Sequence, residues 1–463
     1  MRWPSNPVDA RGWSATGERL RAGEVSLLSL WAEPGVAHMA VLEDEPRLLH
    51  LACPSARFPS VGALHPPAIR LERAARDLAG LEAQGAPDTR PWLRHHTPYP
   101  FLSAEGEGLH QIPVGPVHAG IIEPGHFRFT ASGETVVRLE QRLGYVHKGI
   151  EALMAGAPLE RAARLAGRVS GDSTVGYALA FARAVEDALG IEAPPRAAWL
   201  RALAAELERL ANHLGDIGAV CNDASFSIMH AACGLLREHV LRAAHACFGH
   251  RLMMDCVVPG GMRVDLPAGA EQQLAALLTF VAARFPELAE LYDDTASLKD
   301  RTVGTGILSH ALAQQFAAGG YVGRASGRDF DARRKPAYPP YDALRFEVPV
   351  VQAGDVNARV WIRIREVEQS LALVRQILEG LPAGPVQAAV PGGAGEGAAL
   401  VEGFRGEIFA WVRLGAAGVE RCHLRDPSWF QWPLLEAAIE GNIVADFPLC
   451  NKSFNCSYSG HDL

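Results

Sequence analysis

The sequence predicts an α+β protein: a small N-terminal α/β domain over residues 1–105, then a larger, mainly helical domain over 109–463 with peripheral antiparallel sheet. Three observations predict it. Short alternating apolar stretches fill the first hundred residues. Alanine- and leucine-rich segments with apolar positions three and four residues apart dominate the middle of the chain. Between them lies a proline- and glycine-rich stretch, from Thr97-Pro-Tyr-Pro-Phe to Ser103–Gly108, that reads as a linker.

Taken in order, Val25–Leu30, His38–Leu42 and Leu48–Ala52 read as strands of a small sheet. After the Pro66-Pro67 break, Leu71–Leu81 reads as a helix. Gly125–Ala131 and Thr135–Leu139 read as a strand pair around a Ser132-Gly133 turn. Arg196–Ile217 and Met229–Phe248 have helical spacing and are expected to pack as a bundle, ended by the sharp break at Pro259-Gly260-Gly261. Val356–Leu378 reads as another long helix and Pro382–Gly397 as a glycine-rich loop. Trp411–Leu414 reads as a strand, and a last helix is expected around Pro433–Glu440.

Composition narrows the function. Hydrophobic residues make up 48% and charged residues 21% of the 463, which is ordinary globular usage. With 44 basic against 52 acidic residues the net charge is −8, which argues against nucleic acid as a partner, because phosphate binding needs a concentrated basic face. No apolar run is long enough to cross a bilayer, and the N-terminus has no secretory apolar core. The eight cysteines are scattered through apolar stretches, as buried free thiols of a reduced cytosol are.

Several motifs run in order from Gly115 onwards. They are Gly115-Pro-Val-His118, Glu123-Pro-Gly-His-Phe-Arg-Phe129, Gly144-Tyr-Val-His-Lys-Gly-Ile-Glu151 and Glu206-Leu-Glu-Arg-Leu-Ala-Asn-His213. Pro259-Gly-Gly261, Arg324-Ala-Ser-Gly327, Gly354-Asp-Val-Asn-Ala-Arg359 and Arg405-Gly-Glu407 continue the series. This span resembles the large subunit of nickel–iron hydrogenases and, equally, the quinone-site 49-kDa subunit of respiratory complex I. The first hundred residues, through Phe58-Pro-Ser60, His65-Pro-Pro-Ala68, Leu71-Glu-Arg73 and Asp77-Leu78, resemble the neighbouring 30-kDa complex I subunit. The fused arrangement resembles energy-converting hydrogenases of the hydrogenase-4 and formate hydrogenlyase type.

The resemblance implies a metal centre held by two Cys-x-x-Cys pairs. Here Ser170 and Ser173 occupy the first pair, in Arg168-Val-Ser-Gly-Asp-Ser173, and Ser457 and Gly460 the second. A hydroxyl is a weak ligand beside a thiolate, and glycine offers none, so no metal is expected and hydrogen evolution is not expected. Cys456 and Cys450 read as ordinary buried thiols beside the vacated positions. In complex I the resemblance implies a quinone held by a hairpin histidine and a tyrosine. His118 and His126 lie on the matching hairpin, while the tyrosine position falls on Gly171. Arg405 matches the arginine overhanging the hydrogenase metal, and Glu123 its proton-passing glutamate; Asp172 and His461 are new acid–base candidates. These groups suit a proton relay or a quinone pocket, and equally a hydrogen-bonded plug.

Other signals read as structural. Gly392-Gly-Ala-Gly-Glu-Gly397 lacks the spacing of a nucleotide loop. The charged Arg328–Lys335 stretch reads as part of the fold, and His230, His239, His245 and His250 as packing or surface residues. Two functions stand side by side: an electron-transfer and proton-coupling subunit, or a catalytically silent scaffold. No cofactor of its own is expected. By resemblance the partners are a small iron–sulfur subunit, a ferredoxin-like subunit and antiporter-like membrane subunits, with any iron–sulfur cluster in a partner. The expected place is peripheral, on the cytoplasmic side of the membrane.

Overall fold

The computed structural model describes residues 3–93, 98–118 and 122–462. Thr97 of the expected linker and the terminal Leu463 lie outside this range. The first sheet has strands Ser26–Glu33, Val36–Leu42 and Pro46–Ala52 in antiparallel order, with Ser5–Val8 added parallel to Pro46–Ala52. Helices Ala10–Ala22 and Ile69–Ala79 pack against it; the first is opened by Asp9, whose carboxylate accepts the Gly12 amide, and closed by Gly23 in the left-handed region. The second sheet pairs Leu109–Val114, His126–Ser132 and Thr135–Arg142.

The helical body is built on Pro195–Asp223, Ser227–Phe248, Ala270–Asp294 and Val356–Gly380. A third antiparallel sheet, Gly395–Gly403, Gly406–Gly415 and Gly418–Arg425, packs against the helix Thr174–Leu189. That helix is buried almost all round, and a side chain at Gly397 would collide with its backbone at Ala184 and Ala188. The expected glycine-rich loop therefore ends at Gly395, where a nine-residue strand begins, and the Trp411–Leu414 strand is one part of a ten-residue one. Pro433 lies inside the helix Ser428–Ile439, not at its start. The two apolar cores each draw on both sides of residue 105: Trp31 and Leu48 pack with the helical body, and Trp13 and Leu71 share a core with Phe127 and Trp432. All eight cysteines are free and buried.

Beneath the third sheet runs a fully buried ion network. Arg324 bonds Asp331 at 2.9 Å and also holds Glu366 and Glu402. Arg333 bonds Asp331 at 2.6 Å and Glu206 at 2.9 Å, and His213 bonds Glu366 at 2.7 Å. Arg209 donates to the carbonyls of Glu402 and Gly403 at 3.0 and 3.1 Å. This welds the turn Gly403–Gly406 to the long helices. Within that turn Gly406 has φ +131°, and a Cβ there would sit 2.8 Å from the backbone at Gly319, so glycine is needed to present Arg405. Arg328, Asp331 and Arg333 are buried in this region, which accounts for the charged stretch read from the sequence.

Candidate functional site

The four vacated positions come together. The Ser457 hydroxyl donates to Ser170 Oγ at 3.2 Å and accepts the Gly460 amide at 2.9 Å. Ser170 donates to Asp172 at 2.7 Å, and Ser173 to the same carboxylate at 3.3 Å. Arg405 completes the cluster with a two-pronged bond to Asp172, at 2.8 and 2.6 Å, and with bonds to Ser173 Oγ at 3.1 Å and the Asn455 carbonyl at 2.5 Å. The Asn212 amide donates to the Asp172 carbonyl at 2.7 Å. Asn455 donates in turn to Asp216 at 2.9 Å, which ties the cluster to the helix Pro195–Asp223.

Electrostatics follow from this arrangement. Burial disfavours the Asp172 carboxylate, but the Arg405 charge and the Arg405 and Ser170 bonds outweigh it and hold the group down to about 2. Arg405, buried itself, is driven well above its ordinary range by Asp172. Nearby, Glu208 accepts the amides of Val175 and Gly176 at 2.7 and 3.0 Å, capping the helix Thr174–Leu189; burial nevertheless pushes it up to about 8. A folded-state value below the ordinary 3.8 means that Asp172 contributes stability above about pH 4 and loses it towards pH 2. The stability advantage of wild type over Asp172→Asn is therefore expected to be full above pH 4 and to vanish near pH 2, as denaturant titrations would record.

On the far side of the tail, Tyr177 donates to Asp426 at 2.7 Å, and burial followed by the Asp426 charge raises the phenol well above its usual range. A Cβ on Gly460 would lie 2.6 Å from Asp426 Oδ2 and 2.9 Å from the Tyr177 hydroxyl. The tail itself is fixed from several directions. Trp432 Nε1 donates to the Ser457 carbonyl at 3.1 Å, the Ser457 amide donates to Ser428 at 2.8 Å, and Glu123 accepts the Ser459 amide at 3.1 Å. Residues from Cys456 through Asp462 are all buried.

The hairpin histidines stand apart from this cluster. His126 bonds the Gly115 carbonyl at 2.9 Å and packs on Phe101, and burial holds its imidazole low. His118 is half-buried, its Nε2 without a partner among the described residues, and its neighbours 119–121 lie outside them. The hairpin touches the tail, since a Cβ on Gly125 would lie 2.7 Å from the Tyr458 ring. His461 is sandwiched near Trp429 and Trp92, at 4.2 and 5.0 Å, where burial and then Arg70 and Arg73 keep it neutral. Tyr145 is exposed. Sequence reasoning missed Asp426 altogether and gave Asn212 and Glu208 no place at the site. Asn212 and Glu208 lie inside a quoted motif, but Asp426 follows a strand with no periodic signal.

The chain is similar to several known proteins. Residues 224–392 match the 49 kDa subunit of respiratory-chain NADH dehydrogenase. The carbon monoxide-induced hydrogenase of Rhodospirillum rubrum is 32% identical over 74% of this chain and 96% of its own length. The chain belongs to this family of complex I 49 kDa and hydrogenase large subunits. Formate hydrogenlyase subunit 5 of Escherichia coli (strain K12) is 31% identical over 88% of this chain and 77% of its own. An NADH-quinone oxidoreductase subunit of Dehalococcoides mccartyi is 32% identical, covering 72% of this chain and 93% of its own. In the solved membrane-bound sulfane sulfur reductase, an archaeal respiratory membrane complex, one whole chain superposes on 78% of this one with a TM-score of 0.73 at 26% identity.

The nickel–iron centre of the hydrogenase branch does not fit these residues. Three of its ligand positions carry hydroxyls already committed to Asp172 or to each other, and at Gly460 the space for a side chain is taken by Asp426 and Tyr177. Among the described residues no three His, Cys, Asp or Glu side chains are grouped to hold a metal ion. Burial raises the Cys456 thiol far above its usual range and Cys450 to about 11, so neither offers a thiolate. Restoring cysteine at 170, 173, 457 and 460 together is expected to give protein without stoichiometric nickel until Tyr177 and Asp426 are also made small, as metal analysis would report.

Proposed function

We propose that the chain is a subunit of a membrane-associated, complex-I-like oxidoreductase related to the energy-converting hydrogenases, where electron transfer is coupled to proton movement and no hydrogen is evolved on this chain. Family membership supports the setting. No helix among the described residues is long and apolar enough to cross a membrane, so attachment falls to partner subunits. Iron–sulfur clusters in a small partner subunit would carry the electrons, and antiporter-like subunits would form the membrane arm.

The observation that carries the proposal is the Asp172–Arg405 pair standing where the metal ligands of the hydrogenase branch would be. Both members of this pair stay ionised near neutrality and set a fixed field, while Glu208 beside them, pushed up to about 8, is the group that would exchange a proton when a neighbouring partner changes redox state. Glu123, bonded to the tail, connects this region to the surface. A quinone-type acceptor belongs at the His118–His126 hairpin on this reading, because the cleft beside Asp172 and Glu208 has room for about one water, roughly 10 Å³. Photolabelling the purified membrane complex with a quinone analogue tests this: label on the hairpin, competed by natural quinone, is expected. Absence of specific label in a complex that still turns over removes the quinone from the account.

The tight filling of the vacated site favours a second reading, a silent scaffold that docks the iron–sulfur subunit to the membrane arm. On that reading Arg405 and Asp172 only fasten the tail, and their replacement is neutral for turnover once assembly is intact.

A further inference from the structure

A seam of about 110 Å³ lies between the N-terminal sheet with its helix Ile69–Ala79 and a wall made by residues 147–152, the strand Gly418–Arg425 and the helix Ser428–Ile439, and it is far more than one water needs. One wall is Leu30, Trp31 and the helix residues Leu71, Ala74 and Ala75; the other is His147, Glu151, His423 and Trp429. Its rim includes Leu78, which is 47% exposed, and the exposed Ala152. Most of the lining is apolar, yet two indole N–H groups on it, Trp31 Nε1 and Trp429 Nε1, are buried with no hydrogen-bond partner among the described residues. A buried donor left unmatched is costly, and a cavity of this size beside it accepts water. Glu151 and His423, bonded to each other at 2.9 Å, add polar groups on the same wall.

The inner end of the seam meets the tail. His147 Nδ1 donates to the Asp462 carbonyl, which leaves Nε2 as an acceptor. The Trp429 ring lies on His461. The Asp462 carboxylate is buried, with one oxygen unpartnered among the described residues. Burial pushes this carboxyl up to about 7, within reach of exchange near neutrality.

We infer that the seam is a water-filled proton passage, running from the surface beside Leu78 and Ala152 to His147 and the tail residues Asp462 and His461. It rests on the reading that the vacated site handles protons, and gives that site a supply route along the junction of the N-terminal unit with the body. Along such a file each water takes one proton on one side and releases another on the other side. One proton enters at the mouth for each that passes to His147 Nε2 or the Asp462 carboxylate, and no electron moves.

The test is a plug. Ala75, 4% exposed in the helix Ile69–Ala79, is replaced by leucine in the complete membrane complex, with Ala74→Leu as a second plug and Ala75→Ser as a small control. Expected are normal assembly, a turnover loss of about tenfold or more in both plugs with a raised solvent deuterium isotope effect, and wild-type behaviour for the serine control. Assembled plug variants with unchanged turnover and isotope effect overturn the passage. So does a high-resolution structure of the wild-type complex with a dry seam, which decides the matter even if both plugs fail to fold. If Asp172→Asn stops turnover while the plugs do not, only the passage falls; if neither matters, the proton-coupling reading falls with it.

Discussion

Arg405→Met is expected to yield an assembled complex with turnover reduced about a hundredfold, the scale of a lost charged hydrogen-bond donor in a closed site. The arginine is 4% exposed and spends its whole guanidinium on Asp172, Ser173 and Asn455. Methionine fills much of the volume but leaves the Asp172 carboxylate facing only two hydroxyls. Breaking a fully buried pair costs about 3–5 kcal/mol; with the Asp172 side chain 36% exposed, solvent screens part of this, and roughly 1–3 kcal/mol is the fitting figure. A chain of this size tolerates that loss, so assembly survives and the readout is chemistry. Arg405→Lys keeps a cation but not the fork, and intermediate turnover is expected. Steady-state assays on complex normalised for iron content check both.

Arg324→Met is expected to have the larger effect on stability and to prevent folding. Arg324 is 1% exposed and is shared by Asp331, Glu366 and Glu402, none more than 3% exposed. Its loss takes the bonded guanidinium from Glu402 and leaves Asp331 to Arg333, and Glu366 to His213 and Arg209. One such break costs about 3–5 kcal/mol, against a total stability of about 5–15 kcal/mol. Soluble yield and thermal unfolding of the variant chain report the outcome. A variant with wild-type unfolding temperature would mean that the network contributes register, not stability.

Much of this molecule is legible in the chain. Amphipathic helices announce themselves by spacing, so the reading Val356–Leu378 lies within two residues of Val356–Gly380, and Arg196–Ile217 starts one residue after Pro195 and stops six short of Asp223. The helix Thr174–Leu189 is not legible, because a segment buried on every side has no apolar stripe to read. The Gly395–Gly403 strand hides for a related reason: its glycines are there for close approach to that helix, yet in sequence they look like a loop. At the site, the vacated ligand positions follow from motif frame alone, and Arg405 and Asp172 with them. What fills the space does not. Tyr177 and Asp426 come from elements about 250 residues apart, and only the folded chain brings them into their mutual hydrogen bond and against Gly460.

In the proposed function, turnover depends on the rebuilt Asp172–Arg405 site, without metal. The most direct test of this is the electron-transfer rate of the purified membrane complex carrying Asp172→Asn, compared with wild type at equal assembly and equal iron content. Expected is a fully assembled complex that retains about a tenth of the rate or less. A variant with the wild-type rate would contradict it and leave the chain a scaffold whose old metal site is only filled.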